Sequence, residues 1–338
     1  MRIKIILYYL TFVLLTGSLY SGMLDDFKNK NQQMLTDFKK EISDMQKEIV
    51  SRNLKFRVEM NDLMKKQIEE ITGLNIPDKA PEKEKRHEEE PVKPDRIEPV
   101  PDQPAKKEKK PQESAFEDKR KFCDVHAPSF DWRTYGIVTP VKYQGTCGSC
   151  YMFSAMASYE ANFNLFFEKQ VSLSEQHFLD CGDSGSCNGG WYGTVFEKMQ
   201  ETGAIDANEY PYKGKVSSCS VKSRGQYFSL DTGYVGKYLQ IASVPQIKDA
   251  LCKHGVLSSS VYVTRMFTAY AGGIFDEHAK VEKTNHAINI IGWDESKKSW
   301  LIKNSWGEQW GEKGYMWIEY GSNNIGLGTE WVFPKKIK

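Results

Sequence analysis

The chain has 338 residues, a formal net charge of +1 and 40% hydrophobic residues. So balanced a charge removes the electrostatic basis for a nucleic-acid or anionic-membrane partner. Residue types are unevenly spread: all seven cysteines and all eight tryptophans lie from Cys123 onward, so the globular part begins near residue 115–125 and is long enough to bury a sizeable core.

Residues 1–22 place Arg2 and Lys4 before an apolar run from Ile5 to Leu15 and then small and polar residues, the order of a signal peptide. That run is well short of the ~20 residues a membrane span needs, so no stable span is expected. Residues 23–76 form an amphipathic helical region: up to Thr72 they contain neither proline nor glycine, and Leu35, Phe38, Ile42, Met45 and Ile49 step by three and four, with Phe56, Met60, Leu63 and Ile71 continuing less regularly. The stretch reads as one long helix or a helix pair, stopped by Gly73 and kept from resuming by Pro77. Residues 77–120 are a Pro- and charge-rich stretch that cannot bury enough apolar area to offset its ordering entropy, and read as a solvated linker. Residues 121–338 remain as the folded domain.

Within that domain three separated stretches carry chemistry: Gln144-Gly145-Thr146-Cys147-Gly148-Ser149-Cys150, Asn285-His286-Ala287 and Lys303-Asn304-Ser305-Trp306-Gly307. Cys150 opens a segment whose Phe153, Met156, Phe163 and Phe167 suggest a core helix, and a thiol at a helix N-terminus has its thiolate stabilised by free N–H groups and the dipole. Cys147-x-x-Cys150 also suits half a zinc site or a redox pair; the glutamine before it and the remaining cysteines argue against both. A lone histidine before an apolar strand is more often a core residue than a catalyst, but His286 is followed eighteen residues later by Asn304 at the end of a second strand.

From about Phe130 to Pro334 these blocks, with Asp131-Trp132-Arg133 and Trp306-Gly307-Glu308-Gln309-Trp310-Gly311, resemble the papain family of cysteine proteases. The resemblance implies an α+β, two-lobed fold with a helical lobe carrying Cys150 and a β-barrel-like lobe carrying His286 and Asn304, preceded by a helical pro-region and a disordered linker. It implies Cys150 as nucleophile, paired as thiolate with a His286 imidazolium, Asn304 as the orienter of His286, Trp306 as its shield, and Gln144 with the Cys150 N–H as oxyanion donors. It further implies bridges Cys147–Cys187 and Cys181–Cys219. Cys123 and Cys252 have no family counterpart and are left either joined or as buried free thiols. Glu160 reads as a hydrogen-bonded structural residue, and His87, His126, His177, His254 and His278 as linker or structural residues.

The substrate pocket implied by the resemblance has Gly189 and Gly190 as rim, Trp191, Tyr192 and Ala287 as walls and Glu330 at its base, accepting apolar or basic residues at the second position before the scissile bond. Glu48, Arg52 and Phe56, then Glu59, Leu63 and Gln67, fall on the spacing of the helix motif of the family's pro-regions, which implies that residues 23–76 act as an intramolecular inhibitor. The expected function is therefore an exported cysteine endopeptidase acting on polypeptides without metal or organic cofactor, in an extracellular, periplasmic, lysosome-like or vacuole-like compartment. Its alternatives are a catalytically silent binding or surface protein of the same fold and a transpeptidase using the same acyl-enzyme.

Overall fold

The computed structural model describes residues 2–78, 121–222 and 225–335, and, of residues 2–25, the backbone alone. The expected linker therefore lies, but for residues 77 and 78, outside the described residues. The chain divides into two compact units, Met1–Arg52 and Asn53–Lys338.

The first unit is one helix, α1 (Arg2–Ser51). Its later half is stitched on the exposed side by i,i+3 and i,i+4 pairs, Lys40–Asp44, Lys47–Asp44 and Arg52–Glu48. No helix among the described residues is long and apolar enough to cross a membrane.

The helix expected to run on to Thr72 instead stops at Ser51, and Asn53 takes a left-handed φ of 53°. Beyond it come a short strand β1 (Phe56–Val58), a 3-10 turn (Asp62–Lys65) and a single turn α2 (Ile68–Ile71). The helical spacing of Phe56, Met60 and Leu63 is overridden by a shorter alternation. Phe56 and Val58 are buried and Arg57 is exposed, which suits a strand laid on a sheet edge. That edge is β7 (Tyr270–Phe275), which pairs antiparallel with β1 in the register Phe56↔Gly273. Of the six residues with the spacing of one helical motif, Glu48 lies in α1 and Phe56 in β1, while Arg52 falls in the turn between them and Glu59, Leu63 and Gln67 in the segments after β1.

The rest of the second unit packs helices that include α3 (Cys150–Phe167), α4 (Glu175–Cys181) and α5 (Tyr192–Glu201) beside a nine-stranded sheet. The sheet's strands include β5 (Phe228–Tyr234), β6 (Leu257–Val261), β8 (His286–Asp294), β9 (Ser299–Lys303), β10 (Tyr315–Glu319) and β11 (Leu327–Lys335), in the order β1-β7-β10-β9-β8-β6-β11-β5. The ninth strand, β2 (Ser129–Asp131), lies off this path and pairs antiparallel with β8. α3 is buried nearly all round, including its polar Ser154, Ser158, Glu160 and Asn162. The antiparallel pairing of β8 with β9 sets Asn289 opposite Lys303, which carries the next residue, Asn304, towards the start of β8 where His286 sits.

All three possible bridges are formed: Cys147–Cys187, Cys181–Cys219 and Cys123–Cys252. The last settles the two cysteines left open by the sequence. It ties the start of the folded domain to the helix Val244–His254, which is set by a Ser243/Gln246 capping box. Cys150 is the free thiol.

Candidate active site

Cys150 is the first residue of α3, and the amide N–H groups of Ala287, Tyr151 and Cys150 itself point at its sulfur. His286 opens β8, and its Nε2 lies 2.8 Å from Asn304 Oδ1. Asn304 Oδ1 also accepts the Ser305 N–H at 2.8 Å, so the amide is held with its oxygen toward the imidazole. The Trp306 ring lies 4.6 Å from the His286 ring and is itself buried, which keeps water from the Asn304 bond. The other ring nitrogen, Nδ1, is buried and has no hydrogen-bond partner.

Gln144 is fixed at every polar atom. Its N–H donates to Ser305 O at 2.9 Å, its Oε1 accepts from Ser305 Oγ at 2.7 Å, and its carbonyl accepts from Tyr212 Oη at 2.8 Å. Its Nε2 is thereby turned to the cleft, donating to Cys147 O at 3.0 Å and Ile71 O at 3.2 Å. Sequence reasoning misses Ser305 and Tyr212; the place of Ser305 directly after Asn304 is the one signal that could have found it.

The cleft is covered by the chain itself. Residues 71–75 cross it, with Gly73 and Leu74 N–H donating to Asn285 O, Asn75 N–H to Gly190 O, and Gly190 N–H to Gly73 O. Leu74 and Gly190 form a parallel bridge. Trp306 Nε1 donates to Ile71 O at 3.0 Å. The approach is so close that a Cβ on Gly73 would stand 2.1 Å from Gly148 O, at a φ of +152° that also favours glycine.

Under this cover burial pushes the Cys150 thiol up to about 12, against the pull of its three backbone N–H groups. Burial likewise pushes His286 down to about 4, only partly opposed by Asn304. Burial under this cover thus disfavours the charged form of both the Cys150 thiol and the His286 imidazole.

Leu74, bridged to Gly190, belongs to the same buried apolar cluster as Trp191, Tyr192, Ala287 and Val332. Gly189 and Gly190 form β4, paired with β3 (Gly185–Ser186). A Cβ on Gly190 would meet the ring of Tyr151 at 2.5 Å. Glu330 does not face solvent. It is fully buried and accepts Trp191 Nε1–H at 2.8 Å, while Tyr192 Oη donates to Gly328 O.

Behind this site Glu160 heads a second polar cluster. Lys142 Nζ donates to Glu160 and Glu175, each at 2.8 Å, and Glu160 also accepts from Thr139 Oγ1 at 2.9 Å and Leu173 N–H at 2.7 Å. Lys303, a strand residue whose burial the sequence does not reveal, donates to Thr139 Oγ1 at 3.1 Å. No group of three or more metal-ligating side chains occurs among the described residues.

The model of the papain family cysteine proteases matches residues 126–335. Among curated relatives, mouse cathepsin K is 36% identical over 214 residues, 61% of this chain and 64% of the relative. Rat procathepsin L is 39% identical over 222 residues, 60% of this chain and 64% of the relative. The chain thus spans just under two thirds of the length of these relatives. Among solved structures, a digestive procathepsin L 3 of Tenebrio molitor covers 88% of this chain and 89% of its own, with a TM-score of 0.65 at 22% identity, which speaks to the fold. A Carica candamarcensis cysteine protease in complex with E-64 is 31% identical with a TM-score of 0.55, covering 63% of this chain and 100% of its own. Matched over residues 126–335, more than half its length, the chain belongs to the papain family of cysteine proteases.

Proposed function

We propose that the chain is the zymogen of a cysteine endopeptidase. The observation that carries this is the buried His286, fixed to Asn304 through Nε2 with its Nδ1 open and followed directly by Ala287, whose N–H meets the sulfur of Cys150 at a helix N-terminus. Once the cleft is uncovered, Nδ1 takes the Cys150 proton and the thiolate attacks the scissile carbonyl carbon. The carbonyl oxygen gains the charge and is met by Gln144 Nε2–H and the Cys150 N–H, donors worth roughly 3 kcal/mol each in comparable sites. The imidazolium then gives its proton to the departing amine as the C–N bond breaks. Water, deprotonated by His286, attacks the thioester and releases the acid and the thiol. An epoxysuccinyl or vinyl-sulfone probe should label Cys150 in the processed chain. Labelling that survives in Cys150→Ala, or labelling without hydrolysis of any peptide, would remove the reading in favour of a silent binding protein.

Inhibition by the chain's own residues 53–77 is supported by where they lie. The Ile71 carbonyl takes the Gln144 amide hydrogen that the mechanism reserves for the tetrahedral oxygen, and the segment is anchored upstream by Phe56, whose ring meets Phe275 at 4.6 Å. Truncating a buried phenylalanine costs about 3–5 kcal/mol. Phe56→Ala should therefore raise probe labelling of the uncut chain by at least about 100-fold; an unchanged rate would mean that the segment does not inhibit.

At the second position before the scissile bond, the place of Leu74 in the Trp191, Tyr192 and Ala287 cluster supports apolar side chains. A substrate arginine would have to reach the Glu330 carboxylate alongside Trp191. Glu330→Ala should reduce kcat/KM for an Arg-Arg substrate by about 1.5–3 kcal/mol and spare Phe-Arg; equal losses on both would take Glu330 out of the pocket. Three disulfides favour an oxidising compartment, outside the cell or in a lysosome-like or vacuole-like organelle, and so favour export.

A further inference from the structure

Tyr212 stands outside the groups the mechanism uses, yet its hydroxyl touches both sides of the oxyanion site. Oη donates to the Gln144 carbonyl at 2.8 Å and lies 2.7 Å from Ser149 Oγ. A carbonyl can only accept, so the phenol proton goes to Gln144, and the single Ser149 proton goes to the nearer phenol oxygen in preference to the Cys147 carbonyl at 3.3 Å. Gln144 carries one oxyanion donor, its Nε2. Ser149 is the residue before Cys150, whose N–H is the other. One hydroxyl thus spans the two backbone positions whose spacing sets the distance between the donors.

The hydroxyl is itself held still. The loop that carries it is clamped on α4: Ser174 Oγ donates to the Tyr210 carbonyl, and Lys213 N–H donates to Gln176 Oε1 at 2.7 Å. Ser217 N–H and Tyr210 Oη both donate to Asp180, and Cys181–Cys219 closes the clamp covalently. The Tyr212 ring packs edge-on against Phe153 of α3, with centroids 4.9 Å apart. Burial pushes the phenol up to about 12, so it remains a donor across the working range of a peptidase. A side chain locked by packing and by its own partners is what fixes donor geometry to a fraction of an ångström.

We propose that Tyr212 is a positioning residue for the oxyanion hole, tying the Gln144 loop to the N-terminus of α3 through its hydroxyl. The proposal rests on the peptidase reading. The effect belongs to the transition state, in which the oxygen is charged, and not to ground-state binding.

The test uses the full chain, processed to the active form and titrated with an epoxysuccinyl probe so that rates refer to reactive thiol. Tyr212→Phe keeps the ring and removes the hydroxyl. It should lower kcat about 5- to 30-fold with KM within about twofold, and weaken a peptide aldehyde, whose hemithioacetal oxygen enters the hole, by the same factor. In a Gln144→Ala background the same substitution should cost less than about twofold, because one of the two donors it aligns is gone. An unchanged kcat and aldehyde affinity, or an equal loss in both backgrounds, overturns the proposal. Ser149→Ala removes the hydroxyl's second partner, together with a longer contact of Ser149 Oγ to the Cys147 carbonyl at 3.3 Å, and should give a smaller loss with the same dependence on Gln144, which decides the matter if Tyr212→Phe does not fold. A wild-type chain without hydrolysis overturns the peptidase reading and this one with it, whereas wild-type hydrolysis with an unaffected Tyr212→Phe overturns this one alone.

Discussion

Lys303 and Asn304 are neighbours at the end of β9, and they serve two polar clusters built on opposite terms. Around Glu160 each charge meets an opposite charge or a donor: Lys142 lies between two carboxylates, and Glu160 accepts from Lys142, Thr139 and Leu173. Around His286 two buried polar atoms, His286 Nδ1 and Asn304 Nδ2, have no partner. An unsatisfied buried donor or acceptor costs about 1–3 kcal/mol. The contrast separates a cluster whose polar groups are satisfied within the fold from a site where His286 keeps one ring nitrogen unpartnered.

The largest effect expected from this contrast is on the thiol. With Cys150 at about 12 in the covered site, only about one thiol in 10⁵ is ionised at pH 7, against at least a few per cent at an ordinary cysteine. Iodoacetamide should therefore alkylate Cys150 of the uncut chain at least about 1000-fold more slowly than that of the processed chain, read by mass of the Cys150 peptide. Similar rates would mean that residues 71–75 do not govern the site. The paired cluster should behave in the opposite way. Glu160→Gln removes one carboxylate of a buried pair and should cost about 3–5 kcal/mol in denaturant unfolding, while the folded fraction keeps its rate of probe labelling. A loss of labelling greater than the loss of fold would join the two clusters.

Much of the working site is legible in the sequence because its parts are short and local. Gln144 to Cys150 fit on one turn and a helix start, and His286 and Asn304 each sit at a strand end. What escapes depends on distant partners. Trp191 reads as an apolar wall until Glu330, 139 positions away, takes its indole hydrogen. Cys123 and Cys252 carry no local sign of their pairing across 129 residues. Residues 53–72 read as helix because Phe56, Met60 and Leu63 keep a helical spacing, whereas the free edge of β7, more than 200 residues on, decides that Phe56 to Val58 are a strand. Lys303 looks like the solvent end of Trp300-Leu301-Ile302-Lys303, and only the register with β8 shows that it points into the protein.

That buried lysine gives the remaining prediction, smaller than the others and opposite in sign to the usual effect of losing a charge. Burial pulls Lys303 from its ordinary 10.5 down to about 8, with Lys142 adding to the fall and Glu160 and Glu175 resisting it. Between pH 8 and 10.5 the unfolded chain holds a proton that the folded chain has released, so this residue makes stability rise with pH, by up to about 3 kcal/mol over that window. Below pH 8 the folded state must carry the buried ammonium and the gain is absent. Lys142 does not interfere, because its pKa is raised and its contribution is lost only above 10.5. Cys150 and the buried tyrosines pull the other way as their unfolded forms ionise, but they do so equally in a variant. Lys303→Met should therefore be more stable than wild type at pH 7, by up to about 3 kcal/mol, and the two urea curves should converge as pH approaches 10. A variant less stable than wild type at pH 7, with a gap that does not change with pH, would show that Lys303 is a working member of the Glu160 cluster and is not merely tolerated beside it.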